Sequence, residues 1–220
     1  MTDFNHILNW KLKSGSHDFP GPDGGTCINE AAIVAAGFEY KSVKSAGDCP
    51  PCFSQPISTF AIHLNDQMPD LIRNDLLLPF VTRLSGTADT PEIEAKRTEY
   101  IILQIARRMI AKCLVGILFD GFANAQSLED VRNAAYALAR DACGCAWRRS
   151  FALALDLDFA LYLDFTLAID LAIDLGCQLD LAFYKDAVAI LDEAILMGNH
   201  PDQIEQGLVI DRMNKVKELA

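Results

Sequence analysis

The sequence predicts a mainly α (α+β) protein, and three observations carry that expectation. Apolar residues recur at helical spacing through residues 57–149 and 184–220. Capping residues stand where those stretches begin and end. Residues 151–183 alternate instead with the period of an extended strand.

Taken in order, residues 1–56 are rich in Gly and Pro. "SGSHDFPGPDGG" reads as loop, and "TCINEAAIVAAG" as a short helix capped by Thr26 and ended near Gly37. "SAGDCPPCFSQP" is loop again. "ISTFAIHLNDQ" then places Ile57, Phe60, Ala61 and Leu64 on one helix face. Pro69 suits the start of a second helix running towards Leu78. A third opens with Thr90 as N-cap and Pro91 in the first turn, followed by an apolar stripe of Ile93, Ile101, Ile105 and Met109. Ser127, with Asp130 three residues on, caps a fourth. Helix is expected again from Tyr184 to Gly198, and a last helix carries Ile204, Leu208, Met213 and Val216.

Between Phe151 and Phe183 every odd position is a large apolar residue or Cys177, and every even position is small or polar. On a helix this pattern smears large side chains over all sides; on a strand it separates them cleanly. The segment is therefore expected to be β, with Asp156, Asp158, Asp164, Asp170, Asp174 and Asp180 on one acidic face. One long buried helix is the alternative. Asp and Ala are depleted in strands, and an unbroken strand of this length would span on the order of 100 Å. The aspartates argue against a membrane span. Unsealed strand edges would favour a homo-oligomer.

The 220 residues suit one large domain or two small ones, with a boundary expected near 149/150. Against 19 basic residues stand 30 acidic ones, a net charge of −11. Such a surface repels phosphate backbones and disfavours direct nucleic-acid binding. It suits docking on a basic protein, including a basic nucleic-acid-binding groove. No leader pattern is evident at the start, and seven cysteines are an odd number. Both fit a reduced cytosol, where close cysteines point to metal or redox chemistry.

His17, Cys27, Cys49 and Cys52 are the strongest chemical constellation. Cys-x-x-Cys can grip one tetrahedral ion, and His17 and Cys27 lie in a turn-rich stretch that could fold over it, giving one structural zinc. Two alternatives use the same residues. Cys49 and Cys52 could be a redox pair. Cys27, at a helix N-terminus, could be the nucleophile of a thiol hydrolase, with His17 as base and Asp18 or Glu30 as orienter. The Gly-rich loop lacks the Lys-Ser/Thr ending of a phosphate loop.

The strings "SGSHDFPGPDGGTCINEAAIVAAGFEYKSV", "DCPPCFSQPISTFAIHLND" and "LLPFVTRLSGTADTPEIE" resemble a family of hypothetical proteins carried by prophages, plasmids and other bacterial mobile elements. The resemblance spans roughly residues 5–105. It implies a mobile-element accessory role in the host bacterial cytosol and brings no reaction, so no catalytic residue is carried over from it. The resulting expectation is a non-enzymatic protein that binds another protein, an anti-CRISPR-like inhibitor being its most concrete form. The alternatives are the thiol enzyme and a structural homo-oligomer.

Overall fold

The structure, a computed structural model, describes residues 11–17, 25–113, 117–141, 179–198 and 206–218. The protein is mainly helical. Its elements are strands β1 (Lys11–Leu12) and β2 (Gly25–Thr26) and helices α1 (Ile28–Ala35), α2 (Gln55–Gln67), α3 (Asp70–Leu77), α4 (Pro91–Gln104), α5 (Ile117–Ala123), α6 (Leu128–Asp141), α7 (Leu181–Ile195) and α8 (Gln206–Glu218). The chain divides into two compact units: Met1–Glu94 with Leu191–Ala220, and Ala95–Ile190. The boundary expected at 149/150 lies outside the described residues.

The first unit is built around α1, every residue of which is buried. Eight residues are too few for a helix to persist alone, so its ends need partners. At the N-terminus Cys27, one residue later than the expected Thr26, is the cap: its sulfur accepts the Glu30 N–H, and the Glu30 side chain returns to the Cys27 N–H. At the C-terminus the Phe38 N–H reaches the Ile33 carbonyl (3.2 Å) and the Gly37 N–H that of Val34 (2.9 Å). That closure needs a left-handed residue, which Gly37 supplies at φ 90°. Arg212 of α8 donates to the Ala35 carbonyl at 2.6 Å, placing a cation at the negative helix end.

Two-residue strands are marginal on their own. β1 and β2 pair in parallel, Lys11 opposite Gly25 and Leu12 opposite Thr26. Side chains of α2 and α3 supply further partners for the β1 segment. Asn74 accepts the Leu12 N–H (2.9 Å), Asn65 donates to the Lys13 carbonyl (2.7 Å) and Asp66 accepts the Gly15 N–H (2.7 Å). The α2 stripe of Ile57, Phe60, Ala61 and Leu64 is buried as its spacing predicts. Arg73, itself 3% exposed, closes the C-terminal end of α2 by donating to the carbonyls of Asn65 (2.7 Å) and Met68 (2.6 Å). Its charge is also met by the Asp70 carboxylate at 2.5 Å.

In the second unit α4 continues through a π-helical turn at Ile105–Ile110 into a 3₁₀ turn at Ala111–Cys113. Ile101, Ile105 and Met109 are buried as expected, together with Ile102, Leu103, Ala106 and Ile110. Arg107, within the π turn, donates to the Ala125 carbonyl at 2.6 Å. Ser127 and Asp130 cap α6 reciprocally, as read from the sequence. The N–H of Gln126, with the Ser127 hydroxyl and N–H, holds the Asp130 carboxyl below its ordinary range. Gly121 lets α5 approach α6 closely, since a Cβ there would lie 3.2 Å from that of Ala134.

Residues 151–178 of the alternating segment lie outside the described residues, and with them Asp156, Asp158, Asp164, Asp170 and Asp174. Its last residues correct the strand expectation: α7 begins at Leu181, so Leu181–Phe183 are helical. The cause is Asp180, whose carboxylate accepts the Phe183 N–H at 2.9 Å and starts the helix three residues before the expected Tyr184.

Gly37 offers a direct check of how α1 ends. A Cβ there would meet the Arg212 guanidinium at 2.8 Å, besides occupying left-handed backbone. Gly37→Ala is expected to lower the unfolding free energy by about 1–3 kcal/mol, read from urea midpoints at constant slope. An unchanged midpoint would contradict this closure.

Candidate functional site

Glu30 stands at the centre of the residues that the sequence singled out. Its side chain is fully buried, and such a carboxylate persists only if its oxygens are satisfied. One oxygen accepts the backbone N–H of His17 (2.9 Å) and of Val43 (3.0 Å). The other accepts the N–H of Cys27 (2.8 Å) and the hydroxyl of Thr26 (3.2 Å). The Tyr40 hydroxyl donates to the His17 carbonyl at 2.9 Å. Burial first, and the nearby Glu30 carboxylate second, push the Tyr40 phenol above its ordinary range. Three separate stretches of chain thus meet on one side chain at the N-terminus of α1, where the helix dipole favours negative charge.

This arrangement assigns Cys27 to architecture. Its thiol is 2% exposed, and its sulfur accepts the Glu30 N–H at 3.4 Å. Burial, followed by the Glu30 carboxylate, raises its pKa well above the ordinary thiol value. The helix terminus that could have favoured a thiolate is outweighed by desolvation and by a carboxylate three residues away. The bonds of Glu30 go to the His17, Val43 and Cys27 amides and to the Thr26 hydroxyl, with the Tyr40 phenol close by, which suits holding a fold. Asp18 lies outside the described residues.

Cys49 and Cys52 lie in the loop between the 3₁₀ turn at Ala46–Asp48 and α2. Cys49 is buried and its pKa is pushed up to about 11, chiefly by burial, with the Ser58 hydroxyl acting in the opposite direction. Cys52 is half-buried, its sulfur 3.7 Å from the Ser85 hydroxyl. Immediately before Cys49, Asp48 ties the preceding loop by accepting the N–H groups of Lys44 and Ser45, both at 3.0 Å. Those bonds hold its carboxyl below the ordinary range.

Cys27 stands in different surroundings from the Cys49–Cys52 pair, whose thiols lie within each other's electrostatic reach. Cys27 caps a helix, Cys49 is buried, the Cys52 sulfur lies beside the Ser85 hydroxyl, and His17 is anchored through its backbone. Among the described residues no three His, Cys, Asp or Glu side chains are grouped to hold a metal ion. Of the expected acidic face only Asp180 is described, and it is the N-cap of α7. A cleft of about 350 Å³ lies in the second unit between α5 and α6, lined by Asp120, Asn124, Asp130 and Asn133 together with Gly121 and Ala134.

Sequence reasoning missed Tyr40 and Val43, which complete the Glu30 network. The Cys-x-x-Glu spacing at 27–30 was the available signal, because it is a capping box with sulfur in place of a hydroxyl. Comparison with protein-family models, curated proteins and solved structures gives no match.

Three measurements follow from this geometry. Glu30→Gln turns an amide NH₂ towards at least one backbone N–H donor in either orientation and removes the charge that the others meet, so the unfolding free energy should fall by about 2–4 kcal/mol in urea titrations. Cys49 carries more proton in the folded than in the unfolded chain between pH 9.0 and about 11. Its contribution to stability is thus complete below that window and lost as pH rises through it. The stability difference between wild type and Cys49→Ala should drift accordingly, with no such drift below pH 8. Metal analysis of the purified protein separates two readings of these thiols: one zinc per chain, lost on Cys49→Ala, supports the expected zinc set, and zinc well below one ion per chain supports thiols held by the protein's own contacts.

Proposed function

We propose that the protein acts without catalysis, as a mobile-element accessory protein that binds another protein, and that its target is a CRISPR nuclease complex engaged through its basic nucleic-acid groove. The observation that carries this reading is the state of Cys27. The best-placed candidate nucleophile is buried, spent on a helix cap and held protonated, which weakens the thiol-hydrolase alternative. The net charge of −11 supports an electropositive partner and opposes direct binding to DNA or RNA. Asp156, Asp158, Asp164, Asp170 and Asp174 provide the acidic contact face in this reading. Asp180 is left out of this face because its carboxylate caps α7. The resemblance of residues 5–105 to mobile-element proteins supplies the bacterial cytosolic setting.

The test titrates purified protein into CRISPR nuclease complexes of the main effector architectures and follows target-DNA binding. DNA binding by at least one complex should fall, and the inhibition should weaken as salt is raised. Replacing the five aspartates with Asn should weaken inhibition by about tenfold or more while leaving the folded fraction unchanged. Unaltered DNA binding by every complex at saturating protein would overturn the assignment.

A further inference from the structure

The Cys49-Pro50-Pro51-Cys52 loop is not used by the proposed binding function, and its geometry is specific. Its backbone is pinned at successive points. The Cys49 N–H donates to the Ala46 carbonyl (3.1 Å), the Phe53 N–H to that of Pro50 (2.9 Å) and the Ala88 N–H to that of Cys52 (3.0 Å). Phe53 also pairs with Ser85 in an antiparallel bridge. Two consecutive prolines fix their own φ angles. Two free thiols three residues apart are thereby held on a turn with little freedom left to lose.

The two thiols are unequal. Cys52 is half-buried, with the Ser85 hydroxyl 3.7 Å from its sulfur and able to donate to a thiolate. Cys49 is 8% exposed beside Ser58. Cys52 is also among the groups that oppose ionisation of Cys49, so each lies within the other's field.

We propose that Cys49 and Cys52 form a thiol-modification site for low-molecular-weight disulfides, in which Cys52 is attacked first and Cys49 resolves the adduct into an internal disulfide. In the first step the Cys52 thiolate attacks one sulfur of oxidised glutathione. A Cys52–glutathione bond forms, the S–S bond of the reagent breaks, and one glutathione thiolate leaves. In the second step Cys49 gives its proton to solvent and attacks the Cys52 sulfur. The Cys49–Cys52 bond forms and the second glutathione leaves as thiolate. Two protein thiols are oxidised by two electrons, and one oxidised glutathione is reduced to two thiols. The second step is the slow one, because Cys49 must leave a buried setting that disfavours its thiolate. Dithiothreitol reverses the sequence.

The experiment uses the full chain. Trypsin releases residues 45–73 as one peptide holding both cysteines and no other. After brief exposure to oxidised glutathione, acid quench and alkylation, this peptide should first carry one glutathione on Cys52. It should later become lighter than the dithiol form by two hydrogens. Cys49→Ser should stop at the glutathione adduct, and Cys52→Ser should leave Cys49 unmodified. On the wild-type chain, which avoids any folding defect of the variants, iodoacetamide should label Cys52 about tenfold or more faster than Cys49. Faster labelling of Cys49, or a glutathione adduct that persists without ring closure, would overturn the proposal. So would a dithiol peptide unchanged while other cysteines of the chain oxidise.

Discussion

The buried carboxylate of Glu30 is the constraint on which the first unit depends. An ionised carboxylate taken from water costs several kcal/mol unless its lone pairs are met. Here they are met by His17, Val43, Cys27 and Thr26. Three of those donors are backbone N–H groups from stretches far apart in sequence. Satisfying the charge therefore fixes the start of α1, the segment after β1 and the loop before Cys49 at one point. The same requirement consumes Cys27 as a cap, so the chemistry available to the site follows from the architecture.

The pattern repeats at other joints. Arg73 gathers the last carbonyls of α2, Asn65 links the β1 segment to α1 and α2, and Arg212 closes α1 from the far end of the chain. Each of these side chains supplies bonds that short elements cannot supply for themselves. α1 and α3 are eight residues long and each strand two, below the lengths at which local hydrogen bonding alone sustains structure. Apolar burial drives the collapse, and buried polar side chains decide which loop meets which helix end.

Much of the helical framework was legible because its signals are local. The Ser127–Asp130 cap, the α2 stripe, Pro91 at the start of α4 and the closure at Gly37 are written within a few residues each. The two strands carry no periodicity, since two residues cannot show a period, and the side chains that hold the β1 segment lie on α2 and α3. Hydroxyls are the usual capping groups, which points to Thr26, whereas Cys27 fills that place with sulfur. Asp180 was counted into an alternating acidic face, although its position three residues before Phe183 is also that of an N-cap. For the zinc set, spacing shows which thiols are near in sequence; the partners of Cys27 and Cys52 are Glu30 and Ser85, which spacing does not encode.

If Glu30 is the organising charge, the amides that it holds open together and only when the unit does. Native-state hydrogen exchange followed by NMR reads this directly. The account predicts that the amides of His17, Cys27 and Val43 exchange at one slow, shared rate. It predicts that replacing Glu30 with Gln accelerates all three in parallel. Independent exchange of the three amides, with Val43 and His17 as fast as free loop residues while Cys27 stays protected, would contradict it.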